Sequence, residues 1–329
     1  MATSPNTQAG QPARVSPEKS DKVAKEAREL SRAGWGDDLS QPDPEAIILF
    51  GPTRVGKSRG YLSMVEYAVK KALEEGKEGD ELPKAYVINL DRSGRRDLEN
   101  FPLLVALDVV KQCHCDTVDK VMVATCALIG DKKNNIPKII RPGDWLIVDR
   151  ATVVWEGFPD YWARTRLDKS CDDIEYEYQT KSVPGKIKKG SAMLEFYSTG
   201  INPLWFRWEY AIRTCGAHCV FVCTDKELVK EATAVREKDA PELISIFGDI
   251  GVVPKMQSDT WSRWHTQLYL SRPFSDKKFF VRTVGDRGSR KWLGVGKRTQ
   301  IGEEDHNNLG AIYLGEVAGW GKKNDEDEG

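Results

Sequence analysis

Gly51-Pro52-Thr53-Arg54-Val55-Gly56-Lys57-Ser58 has the spacing G-x-x-x-x-G-K-S, the pattern of a phosphate-binding loop. Its chemistry follows from the residue types. Gly51 and Gly56 let the backbone wrap closely enough for successive N–H groups to point at phosphate oxygens. Lys57 supplies a point charge for the β- and γ-phosphates, and the Ser58 hydroxyl is a ligand for Mg²⁺. Gly51, Pro52, Thr53, Arg54, Val55, Gly56, Lys57, Ser58 and Arg59 therefore form the expected nucleotide-binding run.

A second acid is needed to support the metal. Asp149 has the right setting, at the end of the apolar run Trp145-Leu146-Ile147-Val148. A third group must orient or deprotonate the attacking water. The residue after Asp149 is Arg150, so no adjacent acid pair exists there. Two carboxylates stand as alternatives for this role: Glu156, just beyond Asp149, and Asp91, after the strand that follows the loop's helix. Thr224, at the end of Cys219-Val-Phe-Val-Cys223, is placed to meet the γ-phosphate or to cap a following helix. Arg282, Arg287, Arg290 and Lys291 cluster beside Trp292, and Lys181, Lys186, Lys188 and Lys189 form a second basic stretch. The first suits either phosphoryl-transfer charge in trans or nucleic-acid phosphates, the second suits nucleic-acid phosphates, and both read equally as solvated charge. Cys113-His114-Cys115 lacks the spacing of a metal site and has no second ligand pair.

These residues need a scaffold. Ala46 to Phe50 is an apolar strand leading into the loop. A helix follows on the spacing of Tyr61, Leu62, Met64, Val65, Ala68 and Ala72. Further expectations are a strand over Ala85–Leu90, a helix over Leu103–Gln112 and a helix or strand over Asp119–Leu128. Asn202–Cys215 reads as an aromatic-rich helix and Cys219–Cys223 as a buried strand, followed by a charged helix to about Lys238. Alternation at Leu268, Leu270, Phe279 and Val281 around Arg272–Asp276 predicts a hairpin. Repeated strand–loop–helix units imply an α/β fold, mainly parallel, with helices on both faces and late antiparallel strands at one edge. The expected organisation is a disordered segment over 1–19, a helix and linker over 20–44, a nucleotide-binding domain over 45–295, and an extension with an acidic tail over 296–329.

Composition sets outer bounds. The 329 residues are 30% charged and 40% apolar, enough for one large core or two smaller ones. A net charge of −1 excludes a globally basic nucleic-acid binder, so any such surface is local. No apolar run approaches the roughly 20 residues of a membrane span, and the N-terminal residues lack a signal-peptide core. Seven scattered cysteines, an odd number, are expected to be reduced, in the cytoplasm or in a host's cytoplasm.

The loop at Gly51–Ser58, the Asp149 strand with Thr152 after it, and the Thr224-Asp225 strand end together resemble the core of RecA-like P-loop ATPases, over about Glu45 to Leu293. The likeness is to small phage-type versions linked to single-strand annealing and recombination. Their late antiparallel section ends in an arginine-bearing strand, to which Gly285-Asp286-Arg287 is similar. The resemblance implies ATP and Mg²⁺ as ligands and single-stranded DNA as partner. It also implies a homo-oligomeric ring or filament with nucleotide at subunit interfaces, Arg287 or Arg290 reaching the neighbour's phosphate. Where the family places a glutamate, after the second strand, this chain has Asp91. Other classes stay open: an assembly protein that holds nucleotide with little hydrolysis, a small-molecule kinase, or a helicase or packaging motor.

Overall fold

The structure is a computed structural model that describes residues 44–90, 94–174, 196–228, 245–273, 277–286, 298–303, 307–318 and 320. The expected N-terminal segment and helix, Asp91, the Lys181–Lys189 stretch, Arg287 to Trp292 and the acidic tail lie outside these residues, as does most of the helix expected up to Lys238.

Ten strands are described. Eight form one sheet in the order β10-β9-β8-β1-β5-β4-β2-β3. They are β1 (Ala46–Phe50), β2 (Ala85–Asn89), β3 (Val110–His114), β4 (Trp145–Asp149), β5 (His218–Cys223), β8 (Thr266–Ser271), β9 (Lys278–Asp286) and β10 (Thr299–Glu303). β6 (Asp225–Glu227) and β7 (Val252–Pro254) make a separate antiparallel pair. β8, β1, β5, β4, β2 and β3 are mutually parallel, and β9 runs against both its neighbours. The expected α/β architecture with an antiparallel edge is the one found.

The pattern of β1 explains its central place. All five residues are buried, as in a strand covered on both faces. Ile47 and Leu49 face one core with Trp145, Ile147, Val220 and Leu268. Ile48 and Phe50 face the other with Leu146, Val148 and Phe221. Burying each of these four apolar side chains contributes about 2 kcal/mol. The first core is covered by α1 (Lys57–Glu74) and a π-helical segment, Ala311–Val317. The second is covered by α4 (Val118–Ile129), α5 (Ala151–Leu167) and α6 (Asn202–Arg213). Two short helices, α2 (Gly94–Leu98) and α3 (Pro102–Ala106), precede β3. Helix α4 begins at Thr117, whose hydroxyl accepts from the Lys120 backbone N–H at 3.3 Å, a helix N-cap.

Two local expectations are corrected. The helix over Leu103–Gln112 stops at Ala106, Asp108 takes φ 49°, and residues 110–114 form the edge strand β3. Only Val110 of that strand is buried, so it shows no alternation and pairing with β2 decides its state. After Thr224, residues Asp225–Glu227 pair with β7 rather than opening a helix. Ladder bonds to a distant segment override the local capping signal.

Candidate nucleotide-binding site

The parallel strands bring their carboxyl ends to one edge. Phe50 pairs with Cys223, and Asp149 with Val222, so β5 lies between the loop strand and the Asp149 strand. Two strand spacings, about 10 Å, separate β1 from β4. Helix α1 closes that gap. It starts at Lys57, and in its first turn the Ser58 hydroxyl donates to Asp149 Oδ2 at 3.3 Å. One turn on, the Tyr61 hydroxyl donates to the same oxygen at 3.1 Å. Tyr61 is fully buried; burial, with Asp149 beside it, pushes its phenol well up, so it stays a proton donor.

The loop conformation depends on its glycines. Gly51 has φ 147°, and a Cβ there would stand 2.2 Å from the Leu270 carbonyl oxygen. Gly56 has φ 80° and forms the left-handed turn into α1, a region that side chains disfavour. Lys57 Nζ donates to the carbonyls of Gly51 at 2.7 Å and Pro52 at 2.5 Å. Burial lowers the Lys57 pKa, opposed by the charges of Asp225 and Asp149. Desolvation thus leaves an ammonium that gains from an anionic partner.

The loop opens onto a cavity of about 790 Å³. Six basic side chains line it, Arg54, Lys57, Arg59, Arg150, Arg272 and Lys277, against two acids, Asp97 and Asp149. Such an excess focuses positive potential in a concave site. Arg150 is in the left-handed region at φ 68°, directly after Asp149 and ahead of α5. A non-glycine residue held there costs on the order of 1–3 kcal/mol, a strain that clusters at functional sites. Thr224 lines the cavity too. Its backbone N–H donates to the Thr152 hydroxyl at 3.0 Å, which ties the end of β5 to the first turn of α5.

Among the residues singled out by spacing, Thr53, Arg54, Gly56, Lys57, Ser58, Arg59, Asp149 and Thr224 line one cavity. Glu156 lies within α5, is outside the cavity lining, and pairs with Lys255 at 2.7 Å. Asp91 and Arg287 fall outside the described residues.

No protein-family model matches this chain, and no curated protein matches it in sequence. Among solved structures it is similar to a RadB recombinase, at 13% identity and a TM-score of 0.37, over 80% of this chain and 91% of that one.

Sequence reasoning missed Asp97, Arg150, Arg272, Lys277 and Phe279 as members of the site. Asp97 pairs with Arg59 at 3.4 Å from the helix after β2. Arg272 follows β8 and Lys277 precedes β9, and the parallel pairing of β8 with β1 carries them to the loop. The Arg272 guanidinium lies 5.1 Å from the Phe279 ring centroid, a cation–π distance. The hairpin was legible from its alternation, but its position beside β1 was not.

Proposed function

We propose that this chain binds a Mg²⁺–nucleoside triphosphate at the Gly51–Ser58 loop and hydrolyses it as a RecA-like ATPase acting on DNA. The observation that carries the reading is the cavity itself: a glycine-turned loop at a helix start, with six basic side chains against two acids. A triphosphate is the anion whose charge and size suit it.

The oxygen donors fit Mg²⁺. Ser58 and Asp149 meet at the mouth of α1, and Mg²⁺ takes one or two protein oxygens alongside phosphates and water. Among the described residues there is no cluster of three or more His, Cys, Asp or Glu side chains suited to a metal held by protein alone. When bound, Mg²⁺ neutralises phosphate charge. Ser58 would hold it, Asp149 would support it, and Tyr61 fixes the Asp149 carboxylate. Lys57 exchanges its loop carbonyls for phosphate oxygens, while Arg54, Arg59 and Thr224 bind and orient the phosphates.

For the water-orienting acid we favour Asp91 over Glu156. β2 ends at Asn89, which pairs with Asp149, so the chain leaves the sheet at the site two residues before Asp91. Glu156 is already engaged with Lys255. Arg287 is proposed to reach a neighbouring subunit's nucleotide in a homo-oligomer. Arg272 and Lys277 add charge within the same chain. The DNA part of the reading rests on the family resemblance and on the basic runs at Lys181–Lys189 and Arg282–Lys291, and single-stranded DNA is the proposed substrate.

The test is ATP turnover, with and without single-stranded DNA, across a salt series. Turnover should rise with DNA, the stimulation should fade with salt, and Lys57→Ala should lower the rate by about 100-fold or more. Turnover and ATP binding unchanged in Lys57→Ala would sink the reading. A flat, near-zero rate in the unaltered protein, with ATP still bound, would instead make the nucleotide structural.

A further inference from the structure

A second charged surface lies on α6. This helix buries Trp205 and Trp208, which donate to the hydroxyls of Thr260 at 2.8 Å and Thr125 at 3.1 Å. Its other side carries Phe206, Arg207, Tyr210 and Arg213, and with Arg263 these line a groove of about 560 Å³. Phe206, Tyr210 and Arg213 follow the i, i+4, i+7 spacing of one helical stripe.

The groove is built around a buried acid. Glu209 is 0% exposed. Its carboxylate accepts from Arg213 Nε at 3.0 Å, Arg263 at 2.7 Å and the Trp264 indole N–H at 3.0 Å. Burying a carboxylate with two guanidiniums is a poor way to gain stability, since desolvation offsets much of the attraction. It does fix how two arginines stand. The Arg263 guanidinium lies 3.8 Å from the centroid of the Phe206 ring, and Arg213 lies 5.9 Å from that of Tyr210. Tyr210 is 61% exposed, although it is large and aromatic. Arg207 stands exposed beside it, and among the described residues no ion pair engages it. Asp259 is the acid at the rim, and Gln257 donates to it at 3.3 Å.

From this arrangement we infer that the α6 groove is a binding surface for single-stranded nucleic acid, with Tyr210 stacking on a base and Arg207 and Arg213 contacting phosphates. An exposed ring flanked by oriented guanidiniums matches a chain in which planar bases alternate with anions. A duplex hides the base faces that Tyr210 would need. An acidic peptide would use the arginines but leave the ring without a partner. The inference deepens the DNA part of the proposed function and makes no use of the nucleotide cavity.

The test is fluorescence anisotropy of the full chain with a labelled oligothymidine, over a salt series and beside a labelled polyglutamate of similar length. Tyr210→Ala should weaken oligonucleotide binding by about 10-fold, while Tyr210→Phe, which keeps the ring, should bind as the unaltered chain does. Arg207→Ala should flatten the salt slope by about 0.7. Both side chains are exposed, so folding should be unaffected, and ATP turnover without DNA should stay unchanged. Equal oligonucleotide binding by the unaltered chain and an Arg207→Ala/Tyr210→Ala double variant would overturn the groove while leaving DNA handling intact. No binding by the unaltered chain would overturn the groove and the DNA reading together, and leave ATP binding to be judged through Lys57. Polyglutamate bound as tightly as oligothymidine would show a surface for acidic protein instead.

Discussion

The two ends of the parallel strands are built from similar residue types and behave in opposite ways. At the carboxyl ends of β4 and β5, and in the loop that follows β1, side chains face a cavity. At the amino ends they face one another. There the Glu45 backbone N–H donates to His218 Nδ1 at 2.9 Å. The Glu45 carboxylate accepts from Trp320 at 3.3 Å and from Tyr313 at 3.4 Å. The His218 ring centroid lies 4.7 Å from that of Trp145 and 4.8 Å from that of Trp320. Asp144, 1% exposed, accepts from the backbone N–H groups of Lys84 and Arg141, both at 2.9 Å. Polar groups at this end link Glu45, at the start of the sheet, to Trp320, although the buried Trp145 indole N–H finds no hydrogen-bond partner among the described residues. Polar groups at the other end are oriented but turned toward open space. A sheet of parallel strands leaves its binding crevice at the carboxyl ends, where the connections diverge. The amino end is available for closure.

The carboxyl end is most sensitive to substitution at Gly51. Gly51→Ala places a Cβ 2.2 Å from the Leu270 carbonyl oxygen. We expect a loss of about 2–4 kcal/mol in urea unfolding, from overpacking plus the unfavourable φ. Unchanged stability would mean that the carboxyl end yields more readily than its packing implies.

Next in size is Asp149→Asn. It keeps an oxygen for Ser58 and Tyr61 but removes the charge. Mg²⁺-dependent ATP affinity or turnover should fall by roughly 10–100-fold, the range found when a supporting group is lost from a metal site. The fold should survive by circular dichroism. An equal loss of metal-free nucleotide binding would assign Asp149 to the loop's architecture instead.

The smallest effect sharpens the amino end. Burial raises the Glu45 pKa from 4.5 to about 7. A raised carboxyl stabilises the fold in its protonated form, so this contribution is complete below about pH 4.5 and is lost as pH rises through about 7. Burial lowers His218 from 6.5 to about 4. The neutral imidazole stabilises the fold above about pH 6.5, and that contribution is lost as pH falls through about 4. The two trends oppose each other between about pH 4.5 and 6.5. In Glu45→Gln the carboxyl's part vanishes. The melting temperature should then rise from pH 4.5 to 6.5 and level off, standing about 2–4 °C above the unaltered protein at pH 8. Parallel pH profiles for the two proteins would show that Glu45 does not titrate in this range.

Much of this was legible in the residues. The loop, its strand and its helix could be read because everything that defines them lies within a few turns of chain. Asp149 could be found because a buried strand ending in an acid is a local pattern. The edge strand β3 could not, since only Val110 of its residues is buried and no periodicity marks it. Thr224 was placed at the cavity, but the strand after it required β7, which lies beyond residues 229–244.

The residues alone were enough to mark a glycine-rich turn with the spacing of a phosphate-binding loop and the atoms it offers, because glycine, lysine and serine at fixed spacing act through the covalent chain. The tertiary structure alone decided what surrounds that turn. Asp97, Arg150, Arg272 and Lys277 enter the cavity because β5 separates β1 from β4 and β8 pairs with β1. Strand order is a choice among long-range pairings of similar apolar segments, and no short stretch of residues encodes it. The same holds on α6, where Arg213 and Arg263 are far apart in sequence and are joined by the buried carboxylate of Glu209.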